Sequence, residues 1–174
     1  MTNKYKYFIG NWKMFGNFSS IKMLKKVNTY LKFSKINKKK VIFCIPYTLI
    51  KSFSHILRKS LISVGAQNIH ESNADGPYTG SINSKMIKNA GAKYVIIGHS
   101  ENRYLGESDY VINKKIISAL KNNIKIIFCF GENISQKKKK LTNKIILNQI
   151  NLGLKNIKNI EQIFFAYEPI WSIG

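Results

Sequence analysis

The stretch Tyr94-Val95-Ile96-Ile97-Gly98-His99-Ser100-Glu101 decides the fold. Tyr94 to Ile97 is an apolar, β-prone run that is too short for a helix, and it predicts a strand buried on both faces. Gly98 ends this strand, and Ser100 predicts the N-cap of a helix that begins directly after the histidine. His99 then lies at the carboxyl end of a parallel strand and beside a helix N-terminus, which favours neutral imidazole over imidazolium. This pattern makes His99 a candidate hydrogen-bond donor to a carbonyl oxygen, with a purely capping histidine as the equal alternative.

The same strand-then-helix pattern repeats along the whole chain. The predicted strands are Lys6–Gly10, Val41–Ile45, Ile62–Ala66, Tyr94–Ile97, Ile124–Phe130 and Ile163–Tyr167, and the predicted helices between them are Phe18–Phe33, Tyr47–Lys59, Ser84–Ala90, Asp109–Lys121 and Leu141–Ile157. Strict alternation at this spacing is typical of a (β/α) barrel or a doubly wound sheet. No G-x-G-x-x-G motif follows a strand, and polar residues at almost every strand exit favour the barrel. Residues 1–174 are expected to form a single domain.

Composition excludes several classes of protein. With 44% hydrophobic and 12% aromatic residues, the chain is expected to build a core rather than to stay disordered. No apolar run approaches the roughly 20 residues of a membrane span, and because the N-terminus is strand-like almost at once, no targeting peptide is expected. Cys44 and Cys129 lie within apolar runs, which predicts buried thiols in a reducing cytoplasm and no disulfide.

The formal net charge of +21 suggests nucleic-acid binding at first sight. The basic residues are almost all lysines, however, with Arg58 and Arg103 as the arginines, and a nucleic-acid surface more often favours arginine. Abundant Lys, Asn and Ile are typical of an A/T-rich genome, and the run Lys137–Lys140 is interpreted as solvated loop charge. We therefore expect no specific nucleic-acid partner, while weak non-specific polyanion binding stays open.

Residues that could bind a ligand or act in catalysis follow several of the predicted strands. Asn11 and Lys13 follow the first strand, where alternation places them on one face, and an amide beside an ammonium suits an anionic, oxygen-rich ligand. The pattern N-x-K is common, however, and says little alone. Glu168 follows the last strand, where a carboxylate can also be a simple helix-start residue. The polar segment Ile69 to Asn83 is long for a compact domain, which predicts a functional or interface loop.

Four motifs, in this order along the chain, together closely resemble the triose-phosphate isomerases. They are Gly10-Asn11-Trp12-Lys13-Met14, Gly98-His99-Ser100-Glu101, Cys129-Phe130-Gly131-Glu132 and Ala166-Tyr167-Glu168-Pro169-Ile170-Trp171. The resemblance implies an α/β fold of the (β/α)8 TIM-barrel type, here incomplete, with six strands and without strands seven and eight. It also implies an isomerase of glycolysis and gluconeogenesis that interconverts glyceraldehyde 3-phosphate and dihydroxyacetone phosphate through an enediolate. The resemblance implies no cofactor and no metal.

The resemblance assigns roles that are known for the family and are taken over residue by residue. Glu168 is implied to be the general base, and neutral His99 the group that polarises the substrate carbonyl. Lys13 is implied to attract the phosphate and to stabilise the enediolate, with Asn11 as its hydrogen-bonding neighbour. The Gly174 amide, within the mobile lid that begins at Pro169, is expected to bind the phosphate.

The resemblance also implies supporting positions and a partner. The supporting residues are Glu101, which holds the cationic network, Ser100 and Cys129. Trp171 is interpreted as a lid-hinge aromatic rather than a core residue, and Glu132 as structural rather than catalytic. The polar segment that contains Thr79 resembles the loop that inserts into a second subunit, which predicts a homodimer.

Three departures from the family pattern qualify these expectations. Ser81 stands in place of the usual glutamate and Asn102 in place of the usual arginine, so both ends of an interface salt bridge are missing and the dimer is expected to be weaker. Phe15 replaces a usually small or polar residue, with no clear consequence. A barrel of this type has eight strands and typically about 250 residues, whereas this sequence predicts six strands.

An open six-stranded sheet exposes two edges, so the 174-residue chain alone is expected to be unstable or inactive. Two alternatives to the isomerase stay open. One is an inactive remnant that persists as a basic protein with at most non-specific polyanion binding. The other, a different phosphate-binding barrel enzyme, is disfavoured because the set Asn11, Lys13, His99 and Glu168 is complete.

Overall fold

The computed structural model describes residues 5–36 and 38–173, in which six strands alternate with helices. The strands are β1 (Lys6–Asn11), β2 (Lys39–Cys44), β3 (Ile62–Ala66), β4 (Tyr94–Ile97), β5 (Lys125–Phe130) and β6 (Ile163–Tyr167). The helices are α1 (Ile21–Phe33), α2 (Tyr47–Ile56), α3 (Ser84–Asn89), α4 (Ser100–Tyr104), α5 (Asp109–Lys121), α6 (Ile134–Lys138) and α7 (Thr142–Gly153), with 3-10 turns at Phe18–Ser20 and Ile170–Ser172. The predicted strand order is confirmed.

The chain divides into two compact units, which are described separately. Unit 1 comprises Met1–Gln67 and Lys85–Val95, and unit 2 comprises Asn68–Ser84 and Ile96–Gly174. All eight acidic residues of the sequence belong to unit 2. Unit 1 therefore contains basic side chains and no carboxylate side chain. The expectation of a single domain over residues 1–174 stays a prediction.

In unit 1 the strands pair in parallel in the order β1, β2, β3 and the first residues of β4. The register of β1 with β2 runs from Lys6 opposite Lys39 to Asn11 opposite Cys44. The second strand was predicted to begin at Val41, whereas the observed strand also includes Lys39 and Lys40. Their backbones belong to β2 because they extend its pairing with the start of β1.

Unit 2 is built on parallel pairing of β5 with β6, from Ile126 opposite Ile163 to Phe130 opposite Tyr167. Helices α5 and α7 pack against β5 and against each other. Phe128 of β5 is fully buried, and α7 reaches it through Gly153, where a Cβ atom would lie 2.5 Å from the ring. The absence of a side chain at this glycine therefore lets the helix approach the strand closely.

Strands β1 and β6 are partly exposed. Phe8 of β1 is 45% exposed and Phe165 of β6 is 46% exposed, whereas all four residues of β4 are buried. Among the described residues of its own unit, β1 pairs with β2 alone, and β6 pairs with β5 alone. Each strand therefore lacks neighbouring side chains on one side within its unit, as expected of the two edges of an open six-stranded sheet.

Helix α6 was not predicted, and its last two residues belong to the run Lys137–Lys140 that was interpreted as solvated loop charge. Asn133 and Gln136 form a capping box, in which each side chain accepts a 2.9 Å hydrogen bond from the backbone N–H of the other residue. Lys137 and Lys138 occupy its last turn, where cations interact favourably with the helix dipole. The longest helices in the described ranges, α1 and α5, have 13 residues each, and none there has the length and apolarity of a membrane span.

Candidate active site

His99 follows β4 and begins α4. Gly98 turns the chain with a φ of 77°, and His99 is itself the N-cap, since its Nδ1 accepts a 3.3 Å hydrogen bond from the Glu101 backbone N–H. Ser100 is the first residue of the helix, so the prediction that it is the N-cap is wrong. The extended backbone of His99 brings the imidazole back over the first turn, and the ring satisfies the free N–H group in place of a hydroxyl.

The hydrogen bond at Nδ1 restricts the protonation of the ring. A nitrogen that accepts carries no proton, so the proton of the neutral imidazole is on Nε2. Glu101 Oε2 also lies 3.5 Å from the same Nδ1, and the Glu101 side chain is 57% exposed. The neutral form of His99 stays a prediction.

Glu168 is the residue directly after β6. Its backbone N–H donates a 2.8 Å hydrogen bond to the carbonyl of Phe130, which continues the pairing of β5 with β6 by one residue. Its carboxylate Oε1 lies 3.5 Å from Nε2 of His99, so the structure brings these two predicted site residues together. The other oxygen, Oε2, is buried and has no hydrogen-bond partner among the described residues. A buried acceptor without a donor costs about 1–3 kcal/mol, and such groups in native proteins often mark a functional site.

Glu132 follows β5 and is 1% exposed. Its carboxylate accepts hydrogen bonds from the Tyr167 hydroxyl at 3.0 Å, from Trp171 Nε1 at 3.0 Å and from Thr142 Oγ1 at 3.3 Å. Burial alone raises the pKa of such a carboxyl, but these hydrogen bonds and one from its own backbone stabilise the anion and bring the pKa of Glu132 below its ordinary value. Glu132 thus connects the end of β6 to the segment after Glu168.

Trp171 lies in the 3-10 turn that follows Glu168. Its indole is 40% exposed, so it is not a core aromatic residue. Glu132 holds the ring edge through Nε1, and Lys137 Nζ lies 3.0 Å from the ring centroid on one face. These two contacts fix the indole in the described structure, and the lid-hinge role stays a prediction.

Replacing Glu132 by glutamine is expected to weaken the dependence of stability on acid pH. Because the folded-state pKa lies below the ordinary value of 4.5, the carboxylate contributes stability that is fully present above about pH 4.5 and is lost as pH falls through the lowered value. The melting temperature of wild type should therefore fall more steeply than that of Glu132→Gln between about pH 5 and pH 3. Glu161→Gln, at an exposed acid, is the control, and equal slopes for wild type and Glu132→Gln would contradict the assignment.

Asn11 and Lys13 are placed by a turn in unit 1. Asn11 ends β1, and its Oδ1 accepts a 2.9 Å hydrogen bond from the Lys13 backbone N–H. Lys13 has a φ of 53°, and Gln67 Nε2 donates a 2.7 Å hydrogen bond to its carbonyl. The predicted strand alternation therefore does not reach Lys13, because β1 has already ended. A left-handed backbone at a non-glycine residue is uncommon and is often found at functional sites.

The remaining predicted positions are less directly involved. Thr79 is exposed in the polar segment, and Cys129 is buried at the end of β5. Both cysteines are free thiols, and burial raises the pKa of Cys44 to about 12, so it is unreactive near neutral pH. Gly174 lies outside the described residues. Within the described ranges, no group of three or more His, Cys, Asp and Glu side chains is arranged to hold a metal.

Arg103 is a site residue that the sequence reasoning missed. Its Nε donates to the carbonyl of Gly98 at 2.8 Å, a second nitrogen donates to that of Cys129 at 3.3 Å, and the third contacts the Asp109 carboxylate at 2.6 Å. One guanidinium thus holds the backbone before His99 and the end of β5 in unit 2. A signal was present, because Arg103 is one of two arginines in a chain whose other basic residues are lysines.

Comparison with known proteins decides the family. The triosephosphate isomerase family model matches residues 6–174. The chain belongs to the triosephosphate isomerase family. The triosephosphate isomerase of Clostridium botulinum (strain ATCC 19397 / Type A) is 38% identical over 169 residues, which are 95% of this chain and 66% of that protein. The triosephosphate isomerase of Dictyoglomus thermophilum is 36% identical over 173 residues, 97% of this chain and 68% of that protein.

A crystal structure of triosephosphate isomerase from Bartonella henselae matches the fold with a TM-score of 0.88 and 34% identity, over 95% of this chain and 68% of that one. The prediction of six strands of a (β/α)8 barrel is therefore confirmed, and the doubly wound alternative is excluded. The chain spans about two thirds of the length of the triosephosphate isomerases that it matches.

Proposed function

We propose that the chain catalyses the reaction of its family, the interconversion of glyceraldehyde 3-phosphate and dihydroxyacetone phosphate. One observation carries this proposal. Glu168 Oε1 lies 3.5 Å from His99 Nε2, and Glu168 Oε2 is a buried acceptor without a partner among the described residues. A carboxylate base beside a neutral hydrogen-bond donor suits proton transfer between two adjacent carbons, one of which begins as a carbonyl.

The reaction follows from these two groups. Glu168 removes a proton from the hydroxymethyl carbon of dihydroxyacetone phosphate, while Nε2–H of His99 donates a hydrogen bond to the carbonyl oxygen, where negative charge develops. Glu168 then returns the proton to the neighbouring carbon, and the two oxygens exchange one proton, which gives glyceraldehyde 3-phosphate. A general base and a fixed donor contribute acid–base and electrostatic stabilisation of about 10²-fold or more each.

The substrate phosphate is assigned to residues outside the His99–Glu168 pair. Lys13 supplies the positive charge and Asn11 a neighbouring amide, and the bond between Asn11 Oδ1 and the Lys13 N–H keeps their backbones together. The Gly174 amide is proposed as a further phosphate donor. These roles rest on the resemblance of the Asn11 and Lys13 motif to the family pattern.

The proposal includes a homodimer in the cytoplasm, in which the loop with Thr79 contacts the partner. Within unit 2 the two ends of this loop are joined by a 2.8 Å hydrogen bond from the His70 N–H to the Ile82 carbonyl. Tyr104 and Leu105, at the end of α4, are 92% and 82% exposed, and such adjacent apolar side chains suit a partner surface. The expectation of a weaker interface, from the loss of the salt bridge, stays a prediction.

The test is isomerisation of glyceraldehyde 3-phosphate by the purified 174-residue chain. Activity should be lost about 10³-fold or more in Glu168→Gln, which keeps the shape of the side chain but cannot accept the proton. Glu161→Gln, which removes an exposed acid elsewhere in unit 2, should leave the rate unchanged. A folded wild-type chain without isomerisation, or equal rates in wild type and Glu168→Gln, would overturn the proposal.

A second candidate is the inactive remnant with non-specific polyanion binding. The exposed apolar residues of β1 and β6, such as Phe8 and Phe165, favour it because they reduce the buried core that holds the site together. The expectation from the sequence that the chain alone is unstable or inactive belongs to this second candidate and not to the first. The same assay, combined with a thermal melt, decides between the two candidates.

A further inference from the structure

Gln149 of α7 pairs with the backbone of Gly131, the residue directly after β5. The Gly131 N–H donates to Gln149 Oε1 at 2.9 Å, and Gln149 Nε2 donates to the Gly131 carbonyl at 3.2 Å. Strand β5 ends at Phe130, so the backbone of Gly131 lies beyond the paired residues of β5 and β6. One side-chain amide thus replaces a strand partner for a buried glycine.

Gly131 in turn lies against the backbone of Glu168. A Cβ atom at Gly131 would come within 1.9 Å of the Glu168 carbonyl oxygen and 2.6 Å of its carbonyl carbon. On either side of this contact, the Glu168 N–H donates to the Phe130 carbonyl at 2.8 Å, and the Ile170 N–H donates to the Glu132 carbonyl at 3.1 Å. The backbone of residues 130–132 therefore forms the surface on which residues 168–170 lie.

We propose that Gln149 is a positioning residue for Glu168 and acts through Gly131. Its side-chain amide forms hydrogen bonds with both the N–H and the carbonyl of Gly131. These bonds fix the surface against which the Glu168 backbone packs. Gln149 lies on α7, whereas His99 follows β4 and Glu168 follows β6. The catalytic consequence rests on the proposed function, whereas the positional consequence does not, because it is a property of the fold.

The chain offers a matched control in Asn113 of α5. Its side-chain amide donates to the carbonyls of Gly153 at 2.9 Å and Lys155 at 3.0 Å, also within unit 2. Gln149→Met and Asn113→Leu each remove a side-chain amide that makes two hydrogen bonds to backbone and replace it by an apolar side chain of similar size. Both variants are therefore expected to lose stability in general, but Gln149→Met alone removes the hydrogen bonds that hold the Gly131 backbone.

The experiment measures amide hydrogen exchange by NMR on the full chain. Protection of the Glu168 and Ile170 amides should fall about tenfold in Gln149→Met, the effect of losing roughly one hydrogen bond, and stay within about twofold of wild type in Asn113→Leu. Equal loss of protection in both variants would show a merely structural role and overturn the proposal. Unchanged protection in Gln149→Met would overturn it as well.

The variant Gln149→Glu provides a second test in case Gln149→Met does not fold. Gln149→Glu keeps an acceptor for the Gly131 N–H but donates to the Gly131 carbonyl only when it is protonated. Protection of the Glu168 amide should therefore recover as pH falls towards about 4, near the ordinary range of a glutamic acid. A variant whose protection does not respond to pH in this way would contradict the pairing of both Gly131 atoms.

Kinetics separate the positional role from the proposed reaction. In Gln149→Met, kcat should fall about 10–100-fold with little change in KM, because a small displacement of the base affects proton transfer more than binding. Asn113→Leu should retain the wild-type kcat. If wild type itself does not isomerise, the proposed function fails, and the exchange experiment still decides whether Gln149 positions Glu168.

Discussion

Replacing Gly131 by alanine is expected to lower the free energy of unfolding by about 3 kcal/mol and to remove most of the proposed isomerisation activity. The added methyl group would lie 1.9 Å from the Glu168 carbonyl oxygen, which is backbone and cannot rotate away. The chain after β6 must then move as a whole, and the carboxylate of Glu168 moves with it. Urea unfolding measures the loss of stability, and the isomerisation rate measures the effect on the proposed reaction.

Gly106→Ala is the control for this substitution. Gly106 has a φ of 98°, and no atom lies within 4 Å of the position of its Cβ, so alanine costs only the backbone strain of about 1–2 kcal/mol. Activity should survive in this variant. If Gly131→Ala were as active and as stable as Gly106→Ala, the close approach of Gly131 to Glu168 would not exist in the folded protein.

Replacing Lys115 by methionine is expected to lower the free energy of unfolding by about 3–5 kcal/mol, since it leaves a buried charge without its partner. The side chains of Lys115 and Glu107 are only 8% and 7% exposed, and Lys115 Nζ contacts Glu107 Oε1 directly. Lys115 Nζ also donates to Asn68 Oδ1 at 2.9 Å. Glu107 Oε2 is already buried without a partner among the described residues, so no second donor compensates for the loss.

The double variant Lys115→Met with Glu107→Met should recover most of the stability, because no charge is then left buried and unpaired. Lys114→Met is the matched control. Lys114 is the exposed neighbour whose ammonium lies 4.4 Å from the Tyr110 ring centroid, and its loss should cost less than about 1 kcal/mol. If the double variant were as unstable as Lys115→Met, packing rather than the stranded charge would explain the effect.

The sequence predicted the order of strands and helices well because local patterns determine it. The run Tyr94 to Ile97 is apolar at every position, and all four residues are buried in β4 as expected. Local patterns do not determine exposure, since an apolar run does not reveal whether a strand has neighbours on both sides, and β1 and β6 are partly exposed. Helix α6 could have been found, because Asn133 and Gln136 have the spacing of a capping box.

The site was predictable where a motif places a residue at a strand end, as for His99 and Glu168. The contacts that hold it were not, because they join side chains that are distant in sequence. Gln149 and Gly131 are 18 residues apart, and in the sequence Gln149 is only one position in the apolar stripe of a helix. The cap of α4 was assigned to Ser100 by residue preference, whereas the tertiary position of His99 gives that role to the imidazole.

The most direct test of the proposed chemistry is uptake of deuterium from D2O into the carbon-bound positions of dihydroxyacetone phosphate by the purified chain. This measurement follows the proton that Glu168 is proposed to remove, and it does not depend on which product accumulates. The account predicts uptake with wild type, loss of uptake with Glu168→Gln, and a strong reduction with His99→Asn, which removes the Nε2–H donor. Uptake that survives in Glu168→Gln, or a folded wild-type chain that shows no uptake, would contradict it.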